Sequence, residues 1–177
     1  MRMLTKICSV CLRSGILCQK CEEKVRLGEV SELDLKVARI LSKIEEKYPI
    51  LESVALHKAT EADDVLVIIV NKQDVQKLLS HGGKILRELS EKIGKKKVKV
   101  LANEDSPRRF LENLFAPASI LTINTVWLPD GSMETKVLIP KKDARKLPLS
   151  IQTLKNIVKA IRGINLRVEF EDYRGRI

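Results

Sequence analysis

The chain has 177 residues, enough for one ordinary domain or two very small ones, and its 44% hydrophobic content supplies the apolar material for packed cores. Its 33 Lys and Arg outnumber 23 Asp and Glu, and the resulting +10 points towards polyanionic partners such as nucleic acid, with an anionic membrane surface as the weaker alternative. No apolar run approaches the roughly 18 residues that span a bilayer, and the start, Met1-Arg2-Met3-Leu4-Thr5-Lys6-Ile7-Cys8, lacks the apolar stretch of a signal peptide. The expectation is a cytoplasmic protein with no membrane partner. Aromatic residues are only 3% of the chain, which argues against binders that rely on rows of stacking rings.

All four cysteines come early, as Cys8-Ser9-Val10-Cys11 and Cys18-Gln19-Lys20-Cys21. Two such pairs bring four thiolates around one small ion, the closed tetrahedral set of a structural Zn2+ site. An iron-sulfur cluster or redox chemistry is the alternative, and a pair of disulfides would be unusual in a cytoplasmic chain. With four thiolates no coordination position is open, so the zinc is expected to be structural and not catalytic. Residues 1–30 carry six basic and three acidic side chains, a surplus of three that falls to about plus one once four thiolates and a divalent ion are counted. The module is therefore no strongly basic clamp, and protein contact weighs slightly above RNA contact for it.

Ser31 followed by Asp34 marks a helix start, and Leu33, Val37, Ile40, Leu41 and Ile44 recur at helical spacing until Tyr48-Pro49. Strands are expected over Leu51 to His57 and Val65 to Val70, joined by the polar run 59–64. Helices follow over Gln73 to Leu79 and from Leu86 to Ile93, ending at Gly94, and then a strand at Val98 and Val100. The same order returns: a helix over Pro107 to Phe115, strands over Ser119 to Trp127 and Met133 to Ile139 around the turn Pro129-Asp130-Gly131, helices over Ala144 to Leu147 and Leu154 to Ile161, and a strand at Leu166 and Val168. Lys72-Gln73-Asp74-Val75-Gln76-Lys77-Leu78 matches Lys141-Lys142-Asp143-Ala144-Arg145-Lys146-Leu147 at an offset of 69. After the next loop Leu86, Leu89, Ile93, Val98 and Val100 match Leu154, Ile157, Ile161, Leu166 and Val168 at an offset of 68, the pattern of a duplicated α+β unit.

The loop between the paired helices of the first unit reads Leu79-Ser80-His81-Gly82-Gly83-Lys84-Ile85. Adjacent glycines let the backbone approach a sugar-phosphate chain, and the helix that starts there turns its N–H groups and positive dipole end towards an anion. Lys84 and Arg87 add charge on that turn, and Lys77 lies one turn before the loop. His81 is expected at the exposed tip. Leu86, Val67 and Ile69 are candidates for an apolar floor beneath unstacked bases, or for plain core. An ordinary helix-helix turn with glycine as a C-cap is the alternative for the whole loop. The second unit's Leu147-Pro148-Leu149-Ser150-Ile151-Gln152 has no glycine, so it is not expected to clamp phosphate, although Lys141, Lys142, Arg145 and Lys146 extend a basic track.

This loop resembles that of the KH domain, whose Gly-x-x-Gly links two helices and precedes a basic and an aliphatic residue; Ser80 stands at the first glycine and Gly83 at the second. The element order resembles the type II KH fold, helix-strand-strand-helix-helix-strand, a three-stranded sheet with helices on one face. Tandem units, the second opened by Leu114-Phe115-Ala116-Pro117-Ala118, together with the Lys-x-Asp repeats, are similar to those of archaeal NusA-like transcription factors over about residues 31 to 172. The resulting organisation is a zinc module over 1–30, a first KH domain over 31–103, and a degenerate second KH domain with a basic tail over 104–177.

The resemblance implies a single-stranded RNA-binding protein acting in transcription elongation, termination or antitermination, with RNA polymerase as a further partner and no small-molecule substrate. The RNA-binding residues are then Lys77, Ser80, His81, Gly82, Gly83, Lys84 and Arg87; the metal ligands Cys8, Cys11, Cys18 and Cys21 follow from their spacing, and the cysteine module departs from the simplest archaeal pattern. If the first loop position needs a positive φ, Ser80 adopts it less readily than glycine. The alternative is a zinc-dependent adaptor that docks on RNA polymerase or the ribosome, with RNA contact secondary. An enzyme is not expected, because His57 and His81 lack Asp, Ser or Cys neighbours at catalytic spacing. The tail from Asp172 to Ile177 is read as a mobile basic end or a frayed one.

Overall fold

The computed structural model describes residues 5–172, an α+β chain with two three-stranded sheets and an N-terminal cysteine cluster. It divides into two compact units, one up to Asn103 and one from Glu104. The predicted tail cations Arg174 and Arg176 lie outside the described residues.

The first unit begins with two short helices, α1 (Ser9–Ser14) and α2 (Gln19–Arg26), each entered from an extended cysteine, Cys8 and Cys18. The next helix, α3 (Glu32–Glu45), opens with a capping box: Ser31 Oγ accepts the Asp34 N–H at 3.0 Å, and Asp34 Oδ2 accepts the Ser31 N–H at 2.8 Å. Its buried face, Val37, Ala38, Leu41 and Ile44, follows the expected helical spacing. The segment 1–30, set apart by its cysteines, packs into this same core: Ile7, Cys11, Leu12, Cys21 and Val30 join Val37, Leu41, Leu66, Ile68, Leu78, Ile85 and Leu89. The cysteine segment has too few apolar residues for a core of its own, and α3 supplies the missing surface.

The first strand stands later than its sequence suggests. Pro49 starts a 3-10 turn over Pro49–Ser53 whose Leu51 is buried, and β1 runs over Leu56–Ala62, followed by β2 (Val65–Val70). Ala62 pairs with Val65, so the polar run read as a connection is itself strand, closed by a two-residue turn in which Asp63 takes φ 53°. An edge strand tolerates Thr60 and Glu61 because only one of its faces meets the core. After α4 (Val75–Leu79) and α5 (Lys84–Ile93), β3 (Lys97–Ala102) adds parallel to β2, giving the order β1-β2-β3.

The second unit repeats this plan. It comprises α6 (Pro107–Phe115), the hairpin β4 (Thr122–Trp127) and β5 (Met133–Pro140), α7 (Ile151–Arg162), and β6 (Leu166–Glu171) parallel to β5. The predicted short helix at Ala144 to Leu147 is a 3-10 turn over Lys141–Lys146, and Pro148 shortly beyond it prevents its extension into a helix. Among the described residues no helix is long and apolar enough to cross a membrane.

Candidate metal centre and nucleic-acid interface

The sulfur atoms of Cys8, Cys11, Cys18 and Cys21 all lie within 4.8 Å of one another, a set that can hold a metal ion. All four cysteines are free. The two pairs serve each other: the Cys8 N–H donates to Cys21 Sγ at 3.4 Å, and the Cys18 N–H donates to Cys11 Sγ at 3.1 Å. Cys11 and Cys21 are buried in the hydrophobic core while Cys8 and Cys18 face outward.

The four thiols do not ionise alike. The Cys21 N–H above all, together with the Cys11 and Cys21 thiols, holds Cys18 down at about 7, and the Cys11 N–H likewise lowers Cys8. On Cys11 the Cys18 N–H favours the thiolate, but the Cys8 sulfur, burial and the other two thiols outweigh it and push the group up to about 12. A divalent cation held by the four sulfurs would supply the positive charge that lets all of them ionise together.

Other side chains tie this centre into the fold. Lys24 Nζ donates to the Lys6 carbonyl at 2.8 Å, Lys6 Nζ to the Glu29 carbonyl at 3.1 Å, and Arg39 of α3 to the Gly15 carbonyl at the end of α1 at 2.7 Å. Lys6 and Lys24 are thereby engaged with backbone oxygens.

The glycine loop turns back through three consecutive left-handed residues: His81 at φ 56°, Gly82 at 62° and Gly83 at 77°. A Cβ at Gly82 or Gly83 would meet nothing within 4 Å, so the space over both is open, and it is the backbone conformation that calls for glycine. Ser80 stands at φ −66°, an ordinary value. The strain expected of Ser80 falls on His81 instead, a residue type that tolerates the left-handed region better than most.

Two contacts hold His81 there. Its Nδ1 lies 2.8 Å from Ser80 Oγ, and its ring meets Tyr48 edge-on with centroids 5.1 Å apart. The Ser80 hydroxyl donates to the Lys77 carbonyl at 2.6 Å, which leaves its oxygen placed to accept from the ring when Nδ1 carries the proton. His57 Nε2 lies 2.6 Å from Asn71 Oδ1.

Behind the loop, α5 starts at Lys84 with Gly83 as N-cap, no side-chain cap and no acidic residue in its first turn. Its N-terminal end is electropositive, and exposed Lys84 and Arg87 stand on it. The corresponding helix of the second unit is closed off: Ser150 Oγ accepts the Thr153 N–H at 3.1 Å at the head of α7.

Lys77 stands apart from this group. Its Nζ lies 2.6 Å from Asp74 Oδ1 and 2.8 Å from Ser53 Oγ, and the fully buried Asp74 also accepts the Ala55 N–H at 3.0 Å. The second unit repeats the device: buried Asp143 pairs with Lys146 at 2.8 Å and accepts the Ser119 N–H at 3.0 Å. The repeated aspartate, each paired with the lysine three residues after it, thus anchors the segment before the first strand of each sheet. Lys146, with the Ser119 N–H, holds the Asp143 carboxyl down at about 2. Of the suggested apolar floor, Val67 and Ile69 are buried at 0% and 7% exposure, and only Leu86 keeps accessible surface.

No family model matches the chain, and no curated protein does. Among solved structures it is similar to one described as "Crystal structure of APE1850", with a TM-score of 0.53 and 17% identity over 75% of this chain and 96% of that one. At that identity the likeness concerns the fold.

Proposed function

We propose that the chain is a non-enzymatic single-stranded RNA-binding protein acting in transcription, built on two tandem type II KH units, with a structural zinc ion in its four-cysteine centre. The observation that carries the RNA reading is the head of α5, which has no side-chain cap and whose Lys84 N–H alone turns back to the His81 carbonyl, behind three left-handed residues with open space above both glycines. A sugar-phosphate chain lies over such a loop without side-chain obstruction. Lys84 and Arg87 neutralise its charge, and the sequence of unpaired bases is read beside it. The helix-strand-strand-helix-helix-strand order of the first unit, repeated in the second with a 3-10 turn in place of one helix, and the antiparallel and parallel neighbours of each central strand support the KH reading. The resemblance to archaeal NusA-like factors supports the transcriptional one.

Zinc suits the donor set. Four sulfurs at a Zn–S distance of about 2.3 Å form a tetrahedron with edges of about 3.8 Å; the Cys8 and Cys11 sulfurs stand 3.2 Å apart and no two of the four exceed 4.8 Å, so small shifts in both directions reach that edge.

Binding of a fluorescent single-stranded oligonucleotide across a salt series tests the RNA reading. The logarithm of affinity falls linearly with the logarithm of salt, and Lys84→Gln reduces the slope by about 0.7, the share of one phosphate contact. A slope unchanged by Lys84→Gln and Arg87→Gln together contradicts it.

A second reading, the zinc-dependent adaptor for RNA polymerase or the ribosome, is favoured by Val10, Ile16 and Leu27, which leave the cysteine segment with three exposed apolar side chains. An adaptor keeps its partner through the Lys84 and Arg87 substitutions and loses it with Cys18→Ser and Cys21→Ser.

A further inference from the structure

The rim of a β-sheet offers free N–H and C=O groups, and proteins guard it with charge, irregular register or proline. Among the described residues the two sheets have four rims, and three are guarded. β1 holds Lys58 and Glu61 and breaks register between Leu56 and Lys58; β3 holds Lys97 and Lys99; β6 holds Arg167, Glu169 and Glu171. The fourth, β4, reads Thr122-Ile123-Asn124-Thr125-Val126-Trp127, with no charge, no proline and an unbroken register against β5. All its residues but Ile123 are exposed, and Trp127, the chain's single tryptophan, is 70% exposed opposite Met133, itself 49% exposed.

The phase of the hydrogen bonds says which backbone groups are free. The Leu128 N–H donates to the Ser132 carbonyl at 2.9 Å, so that pair is a hydrogen-bonded one. Thr135, opposite Thr125, turns its N–H away from β4 to the Asn165 carbonyl at 2.8 Å. Alternation along an antiparallel pair then points the N–H and C=O groups of Ile123, Thr125 and Trp127 outward, with their side chains on one face.

We propose that β4 pairs antiparallel with β4 of a second copy of this chain, with Thr125 on the two-fold axis. In that register the outward groups of Ile123, Thr125 and Trp127 all meet outward groups of the other copy. Ile123 faces Trp127, Thr125 faces Thr125, and Asn124 faces Val126. Aromatic-with-β-branched and Thr-with-Thr pairs are favourable cross-strand neighbours, and no like charges are opposed. This match of the strand to itself selects a second copy over an extended peptide of another protein, since an isologous contact needs a self-complementary patch. The β4-β5-β6 sheets of the two copies become one sheet of six strands, and β4 loses its open rim. The glycine loop belongs to the other unit, so this inference does not depend on the RNA reading.

Sedimentation equilibrium of the full chain tests it. The unmodified protein sediments with twice the mass of one chain. Thr125→Lys sets two ammonium groups against each other on the axis and halves that mass, and Thr125→Glu does the same with carboxylates. An equimolar mixture of the two variants recovers the doubled mass. Trp127 emission in the unmodified chain, a reading that needs no substitution, moves to shorter wavelength as concentration rises through the dimer range. A single-chain mass up to the hundred-micromolar range, a doubled mass that survives Thr125→Lys, a mixture that stays monomeric, or emission that does not move overturns the proposal.

Discussion

The two units share one plan and differ at one helix head. In the first, α5 emerges uncapped behind His81, Gly82 and Gly83; in the second, α7 emerges under a Ser150 cap from a loop that has no glycine. A side-chain cap takes up an N–H group at a helix head, so on the RNA reading proposed above the first copy is the one that receives the phosphate chain. Under the proposed reading, the difference means that the loop, and not the shared fold, carries binding. A second contrast runs beside it: the first unit's core contains two buried cysteines, whereas the second is built without any.

The largest effect breaks that second contrast. Cys11→Ser removes a buried ligand from the first unit's core, and the expected loss is on the order of several kcal/mol because metal affinity in such centres is folding energy. Hydrogen exchange checks it: protection falls across α1 to α3 and stays unchanged across β4 to β6. Next comes the loop. Gly82→Asp with Gly83→Asp lowers RNA affinity by ~100-fold, about 2.8 kcal/mol, in a binding titration, through strained backbone and two added negative charges.

Acid titration sharpens the comparison from the other side. The folded value of Asp143, about 2, lies below the ordinary carboxylate value of about 3.9. Its stabilisation is therefore complete above that ordinary value and is lost as pH falls from there towards 2. Thermal melts of wild type between pH 5 and pH 2 show that decline in the second unit, and Asp143→Asn is less stable at neutral pH with a flatter acid limb. The smallest effect is Ser150→Ala, which costs about 1 kcal/mol in denaturant melts and leaves RNA affinity where it was.

What the sequence discloses follows how local each interaction is. Four sulfur donors within one short segment, and a capping box spanning Ser31 to Asp34, close over a few residues and can be read directly. The glycines are legible for a similar reason, since a positive φ is a property of the residue itself. Lys77 reads as a phosphate ligand because its engagement is set by tertiary structure: Asp74 is buried by its link to Ala55, 19 residues away, and Ser53 closes the other side. The one available signal was the identical spacing of Asp74 to Lys77 and Asp143 to Lys146 in both repeats. The position of β1 was hidden by turn-like composition on an edge strand. The bareness of β4 becomes visible only when the four rims are set side by side.

Residue-mapped photocrosslinking of single-stranded RNA to the full chain tests the central claim most directly. The account predicts adducts concentrated between Ser80 and Arg87, with none at Leu147 to Gln152. Adducts confined to the cysteine segment or to the second unit, with the glycine loop untouched, would contradict it.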